Sequence, residues 1–274
     1  MKTDSSMITL SPQAIRLHIL VQSWRAHVGH IGSALSVVEI LAVLYDSVLR
    51  IDAPRDPRRD RFVMSKGHAA LALYSVFRLM DWISQTQIDT YCGNNTLLGV
   101  HPERILPGVD FCTGSLGMGL GYAAGAAWAA RLQGEDRRAF ALLSDAECNE
   151  GSVWEAAMFA AHRQLANLTA IIDFNGQQAF GYTRDVLSAD NLAERWNAFG
   201  WDVHTVDGHD LAALRLTLAE LDYANGQPHL VLARTTFGKG VSFMENQIKW
   251  HYWPMNEDEF RQAVAEIMAT EAER

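Results

Sequence analysis

The sequence predicts an α/β fold: one doubly wound domain with a mostly parallel central sheet flanked by helices. Short apolar runs of strand length alternate with segments of helix length along the chain, which is the order expected of βαβ units. The 274 residues, 49% of them apolar, suffice for a substantial core. We see no repeat of roughly 20 to 50 residues and no low-complexity linker. Residues 1–274 are therefore taken as a single domain.

The first predicted helix begins after Ser11, which precedes a proline and so fits an N-cap with Pro at the first helical position. Apolar residues then recur at helical spacing, at Leu17, Leu20, Val21 and Trp24. Gly29 and Gly32 are expected to break the helix and to hold His30 in a tight loop. Ser36 is then expected to cap a second apolar helix.

Two further histidines follow in irregular or glycine-containing segments. A short apolar strand over Arg61–Met64 ends in Ser-Lys-Gly-His, and His68 opens the next predicted helix. Backbone N–H groups gather at such a turn and can hold an anion, although a solvated turn explains the pattern equally well. Residues 91–112 are rich in Gly, Pro and Asn and predict a long irregular loop that carries His101.

The rest of the chain alternates between helix and strand. In the stretch 113–132 a glycine-dense entry leads into a helix of small residues, which must pack closely against the sheet or another helix. Beyond the central stretch, the predicted elements are a helix over 192–199, a strand over 201–206, a helix over 210–223, a strand over 229–235, a loop that carries His251, and a polar helix over 256–273.

Composition excludes several classes of protein. A formal net charge of −9 argues against a nucleic-acid binder that works through phosphate contacts. The N-terminus has no long apolar segment typical of a secretory signal, and the small-apolar run near 120–130 is too short to span a membrane. The cysteines are few and widely spaced, at Cys92, Cys112 and Cys148, which fits a reducing compartment. We therefore expect a cytoplasmic protein.

The stretch 139–181 carries the main chemical signal. An apolar strand ends at Asp145, a helix follows, and a second apolar strand ends shortly before Asn175. In a parallel βαβ unit both strand ends face the ligand-binding crevice of the sheet. Carboxylate, amide and main-chain oxygens suit Mg²⁺, so the pair predicts a magnesium diphosphate site. Taken alone, the two residues are somewhat better explained as ordinary turn and cap residues.

The separation of the two residues, 175 − 145 = 30, strengthens the first interpretation. The sequence SDAECNEG followed by DFNGQQAFG resembles the diphosphate-binding, N-terminal half of transketolase, a thiamine diphosphate enzyme. Other motifs follow in the order of that family: GHIGSALS, SKGHAA, VHPER, TGSLGMGLG and a late KWHYWP. Together they cover roughly residues 10–255 and are more specific than any one motif.

The resemblance implies a set of binding residues. Mg²⁺ would bind Asp145, Asn175 and the main-chain oxygen of Gln177. His68 and His251 would reach the diphosphate, and Gly114 with the main chain of Leu116 would line the ring region. The full cofactor-binding set implied is His68, Gly114, Leu116, Gly117, Asp145, Ala146, Glu147, Asn175 and His251.

The resemblance also implies catalytic residues. His30, His101 and His251 would hydrogen-bond the hydroxyls of the substrate and its developing oxyanion. Glu150 and Glu155 match acidic residues that link paired active sites at a subunit interface, although Glu155 is equally explained as part of a solvated helix face.

Two departures from the family pattern stand out. Ser144 and Ala146 replace both glycines that usually flank the metal-binding aspartate. The family's pyrimidine-binding and C-terminal domains, with the glutamate that activates the cofactor, have no counterpart in the chain. The resemblance thus implies one subunit of a split enzyme, with a second chain carrying those domains, in an α2β2 heterotetramer.

Several functions fit these features. The first is transfer of a two-carbon ketol unit from a ketose phosphate to an aldose phosphate or, after oxidation of the bound fragment, to the thiol of an acyl or peptidyl carrier protein. The second is the α subunit of a 2-oxoacid dehydrogenase. The third is a scaffold subunit that lost cofactor binding through the altered glycines. The SKGH and VHPER motifs favour the first.

Overall fold

The computed structural model describes residues 10–272, with side chains through residue 269. Two predictions lie outside the described residues. They concern the N-terminal segment, expected to carry no secretory signal, and the end of the final helix at Glu273. Within 10–272, no helix combines the length and the apolar character needed to cross a membrane.

Seven strands are present in the described residues: β1 Arg61–Met64, β2 Ala139–Ser144, β3 Leu168–Phe174, β4 Gln177–Gln178, β5 Gly181–Tyr182, β6 Asp202–Asp207 and β7 His229–Arg234. Five of them form a parallel sheet in the order β1, β2, β3, β7, β6. β4 and β5 form a separate small antiparallel ribbon just after β3. The predicted parallel α/β sheet is confirmed.

The helices are α1 Pro12–Ala26, α2 Ile31–Leu35, α3 Val38–Val43, α4 Ala70–Leu79, α5 Gln85–Ile88, α6 Gly119–Leu132, α7 Gly151–His162, α8 Thr183–Val186, α9 Leu192–Ala198, α10 Leu211–Ala219 and α11 Glu257–Ala272. A π-helical turn extends α3 over Leu44–Val48. All residues between α5 and α6 are described, and they form no helix or strand. The predicted irregular loop is therefore confirmed.

Two apolar layers cover the faces of the sheet, because successive strand residues point to opposite sides. Phe140 and Leu142 of β2 pack with the layer that includes α1 to α4 and α10. Ala141 and Leu143 pack with the layer that includes α6, α7 and α9. The small residues of α6 allow its close approach to the sheet, as predicted; those buried are Ala123, Ala124, Ala127 and Ala130.

The start of the second helix was wrongly predicted. It begins at Ile31, with His30 in the left-handed conformation at the N-cap (φ 61°), and Ser36 lies after its end. Gly32 therefore lies inside a helix and does not break one. A Cβ at Gly32 would lie 2.1 Å from the ring of Phe237, so the glycine is required by close packing between distant segments.

Candidate active site

Asp145 and Asn175 meet at the carboxyl edge of the sheet, since β2 and β3 are hydrogen-bonded neighbours. The main-chain N–H of Gly176 donates to Asp145 Oδ2 at 2.8 Å, and that of Gln177 donates to Asn175 Oδ1 at 2.9 Å. Asp145 is fully buried, and Asn175 and Gln177 are nearly so. The loop after β3 is thus fastened to the end of β2, with three oxygen-bearing side chains close together.

The electrostatics of this edge favour a cation. Burial raises the pKa of Asp145 to about 7, and the nearby negative charge of Asp173 adds to the increase. Gln177 has no hydrogen-bond partner for either side-chain polar atom among the described residues. The buried carboxylate of Asp145 therefore has no positive charge that fully offsets it, and it lies next to amide groups without partners. A bound cation would offset this charge.

Behind Asp145 lies a buried polar network centred on Asp173. Asp173 Oδ2 accepts hydrogen bonds from the Lys66 ammonium, from Ser36 Oγ at 2.7 Å and from Asn175 Nδ2 at 2.8 Å. Its other oxygen accepts from the hydroxyl of Thr235. The bond to Asp173 fixes the amide of Asn175, so that its oxygen points away from Asp173. No local sequence motif indicates this network, because its members lie on four separate segments of the chain.

Four histidines cluster beside these residues. The ring centroids of His30 and His68 are 4.9 Å apart, those of His30 and His251 are 5.3 Å apart, and those of His68 and His101 are 4.6 Å apart. The main-chain N–H of His30 also donates to the carbonyl of His251 at 3.1 Å. The motifs at residues 30, 68, 101 and 251, which are far apart in sequence, are therefore brought to one place.

Three of these rings are neutral at physiological pH. Burial first, and then the neighbouring ionisable groups, lower the pKa of His30, His68 and His251 to about 4. Nδ1 of His30, Nδ1 of His251 and Nε2 of His101 have no hydrogen-bond partner among the described residues. Neutral imidazoles with free nitrogens can donate to or accept from a ligand's hydroxyl groups.

Glu147 anchors the glycine-rich loop that precedes α6. Its Oε1 accepts from the Gly117 N–H at 2.8 Å and from the hydroxyl of Ser65, and burial raises its pKa. Gly117 has φ +86°, and a Cβ there would lie 2.4 Å from Ser152 Oγ. The loop can therefore reach the end of β2 only with glycine at this position.

A cavity of about 610 Å³ opens above these groups. Of the residues predicted for the site, those that line it are His30, His68, Leu116, Ala146, Glu150, Asn175, Gln177 and His251. Asp145 and Glu147 lie beneath it in the protein interior, and His101 packs beside His68 and against Gly114. Glu155 is exposed on α7. The mouth of the cavity carries Phe180, whose side chain is 85% exposed.

Comparison with known proteins decides the family. The family model described as "Transketolase, thiamine diphosphate binding domain" matches residues 9–271. The chain belongs to the transketolase family. The predicted resemblance is thus confirmed, and the histidine-lined cavity lies in a domain that binds thiamine diphosphate.

Transketolase subunits of similar length are among its relatives. The chain is 39% identical to a subunit of the apulose-4-phosphate transketolase of Phocaeicola vulgatus, over 95% of this chain and 93% of the relative. It is 38% identical to the 6-deoxy-6-sulfo-D-fructose transketolase subunit SqwG of a Clostridium species, over 96% and 98% of the two chains. Family members of about this length are therefore named as transketolase subunits in bacteria.

Longer transketolases match over part of their length. Human transketolase is 35% identical over 92% of this chain, which spans only 41% of the human protein. The crystal structure of transketolase from Campylobacter jejuni superposes with a TM-score of 0.88 at 28% identity, over 97% of this chain and 43% of that one. The chain therefore corresponds to less than half of the single-chain transketolases.

Proposed function

We propose that this chain is the diphosphate-binding subunit of a two-component transketolase that transfers a two-carbon ketol unit from a ketose phosphate. The observation that carries the proposal is the pair Asp145 and Asn175, held at adjoining strand ends beneath a cavity lined by histidines. When bound, thiamine diphosphate supplies a nucleophilic carbon and an electron sink for breaking the bond beside a ketone. The chain's own residues bind, orient and exchange protons.

Magnesium would bind through Asp145, Asn175 and the main-chain oxygen of Gln177. The raised pKa of Asp145 supports this assignment, because the carboxylate is buried without a cation that offsets its charge. The network around Asp173 fixes the amide orientation of Asn175. Ser144 and Ala146, which replace the usual glycines, carry small side chains that leave room for a diphosphate. The scaffold alternative, which rested on those replacements, is therefore less favoured.

The histidines would serve the substrate. His30 and His251 line the cavity as neutral rings with unpaired nitrogens, so each can hydrogen-bond a hydroxyl of the ketose. His101, packed against His68, would act on the same substrate from the other side. His68 would reach the diphosphate. Glu150 is exposed at the cavity edge. It would lie at the subunit interface and link this active site to a second one.

A second chain would complete the site. Among the described residues that line the cavity, Lys66 is the only lysine and none is an arginine. The ammonium group of Lys66 is already paired with Asp173. A sugar phosphate would therefore need cations supplied by another chain. The exposed Phe180 at the mouth provides an apolar contact for that chain. We assign the partner the pyrimidine-binding and C-terminal domains, in an α2β2 assembly.

The acceptor would be an aldose phosphate or, after a separate oxidant has oxidised the bound two-carbon fragment, the thiol of a carrier protein, and the 2-oxoacid dehydrogenase α subunit stays as the alternative activity. Relatives that are named transketolase subunits favour ketol transfer. A cytoplasmic location is part of the proposal, and three free cysteines support it.

The experiment pairs this chain with the product of a neighbouring gene that encodes the missing domains. The co-purified complex, with Mg²⁺ and thiamine diphosphate, is assayed with xylulose 5-phosphate, apulose 4-phosphate, 6-deoxy-6-sulfofructose and pyruvate as donors. We expect transfer from a ketose by the complex and none by either chain alone. An enzyme-like rate from this chain alone would overturn the split site, and turnover of pyruvate only would establish the dehydrogenase.

A further inference from the structure

A second polar cluster lies at the opposite end of the sheet. Asp202 and His204 are two residues apart on β6, so their side chains point to the same face. His229 begins β7 and is the register partner of Asp202 in the parallel pair. The strand pairing itself therefore places one carboxylate and two imidazoles together at the amino ends of the two strands.

The three ligand atoms have the spacing of a metal site. His229 Nδ1 and His204 Nε2 each lie 3.1 Å from Asp202 Oδ2, and all three atoms lie within 4.8 Å of one another. Zinc bonds of about 2.0–2.1 Å in tetrahedral geometry separate neighbouring ligands by roughly 3.3 Å. The two measured distances are close to this value. The third distance, between His204 Nε2 and His229 Nδ1, can shorten because His204 is about one-third exposed and has room to move.

Hydrogen bonding explains only part of the cluster. His229 Nδ1 and Asp202 Oδ2 form a hydrogen bond. Asn225 Nδ2 also donates to Asp202 Oδ2, at 3.3 Å, and His204 Nε2 is as near to this oxygen as His229 Nδ1 is, although the contact is not aligned as a hydrogen bond. The ring of His229 is fully buried, and Tyr223 packs against it edge to face at 5.4 Å. One ligand is thus rigidly held, while the side chains of His204 and Asp202 are each about one-third exposed, with the Nε2 atom of His204 turned inward.

We propose that Asp202, His204 and His229 bind a divalent transition metal, Zn²⁺, which clamps the edge strand β6 to β7. Two imidazoles and one carboxylate favour Zn²⁺ over Mg²⁺, which requires oxygen ligands. Three protein ligands leave the fourth position to water. β7 has six residues, so the site lies roughly 20 Å from the cofactor edge. The clamp therefore stabilises the fold without taking part in ketol transfer.

The test measures Zn²⁺ binding to the tag-free full chain by equilibrium dialysis in excess Mg²⁺, with the visible spectrum of bound Co²⁺ as a second readout. We expect one tightly bound ion. Asp202→Asn and His204→Ala should each weaken binding by more than about 100-fold, because both remove a direct ligand. Zn²⁺ at a hundred times its Kd should raise the Tm of the unsubstituted chain by about 5–10 °C.

Two control variants separate this site from other imidazoles. His162→Ala removes an exposed histidine of α7, and His68→Ala removes one ring of the cofactor cavity. Both should retain the ion and the increase in Tm. The proposal is overturned if the unsubstituted chain binds no Zn²⁺, or if His68→Ala loses the ion while His204→Ala keeps it.

Discussion

The main-chain N–H of Gly176 donates to Asp145 Oδ2 at 2.8 Å, and this bond joins the loop after β3 to the end of β2. Asp145 accepts a second bond from the Ala146 N–H at 2.9 Å. Two main-chain donors therefore fix the carboxylate, but they do not offset its burial, since its pKa is still raised to about 7. Asp145 is therefore held in place at some cost in stability, which is consistent with the proposed metal site.

Replacing Asp145 tests this arrangement directly. Asp145→Asn keeps a side-chain oxygen for the Gly176 N–H and removes the charge. We expect Mg²⁺-dependent binding of thiamine diphosphate, measured by calorimetry on the assembled complex, to weaken by more than about 100-fold. The Tm of the cofactor-free chain should not fall, because removal of a poorly compensated buried charge offsets the loss of one of the two main-chain hydrogen bonds, which the single amide oxygen cannot both accept. Normal cofactor affinity in this variant would contradict the metal assignment.

Proton binding to Asp145 should make Mg²⁺ affinity depend on pH. The metal requires the ionised carboxylate, and the pKa of Asp145 is about 7 in the fold. Affinity should therefore be roughly tenfold weaker at pH 6 than at pH 8. His30, His68 and His251, with pKa values of about 4, stay neutral throughout this window and do not contribute. Affinity that does not change between pH 6 and pH 8 would count against the assignment.

The same group should change stability in the opposite direction. A folded-state pKa of about 7, above the ordinary 3.8, gives Asp145 a stabilising contribution that is fully present below about pH 4 and is lost as pH rises through 7. Asp145→Asn lacks this dependence. The difference in Tm between this variant and the unsubstituted chain should therefore grow in favour of the variant between pH 5 and pH 8. Equal pH profiles in thermal melts would show that the carboxylate is not buried as described.

The pair of Lys66 and Asp173 should be strongly coupled. Both side chains are almost fully buried, so Lys66→Met leaves Asp173 without its cation. We expect a loss of about 3–5 kcal/mol in the free energy of unfolding, and recovery of part of it when Asp173→Asn is added. Urea unfolding of the four chains of a double-mutant cycle measures the coupling. Lys249→Met, which breaks an exposed pair with Glu259, should cost less than about 1 kcal/mol.

The sequence was sufficient where the signal was local or formed a known motif. Strand order along the chain, the two strand ends at Asp145 and Asn175, and the four histidine motifs were predictable in this way. It was insufficient where distant segments meet. Ser36 resembles a helix cap, but its hydroxyl lies 2.7 Å from Asp173, 137 residues away. No local pattern around either residue indicates that contact.

Gly32 illustrates the same limit. A glycine after a helix is ordinarily a terminator, and the local sequence indicates one here. Gly32 nevertheless lies within α2, because the ring of Phe237 occupies the space where a Cβ would stand. Asp173 resembles an ordinary strand-end cap, and its pairing with Lys66 spans 107 residues. Burial and long-range pairing therefore decide which polar residues form the site.

The conformation of Gly117 should be essential to the glycine-rich loop. Gly117→Ala places a Cβ 2.4 Å from Ser152 Oγ and 2.7 Å from Glu150 Cβ, at a φ of +86° that L residues rarely adopt. The loop would have to shift away from Glu147, whose carboxylate accepts the Gly117 N–H. We expect a loss of about 1–3 kcal/mol in stability and a marked loss of cofactor affinity in the assembled complex.

The matched control for this substitution is Gly121→Ala, four residues further along the chain within α6. A Cβ at Gly121 meets nothing within 4 Å, and alanine is the better helix former by up to about 1 kcal/mol. The control should leave the isolated chain as stable as before or more stable, by thermal melting. If both alanine variants are equally tolerated, the close approach at Gly117 does not constrain the loop, and Glu147 does not fasten it to β2.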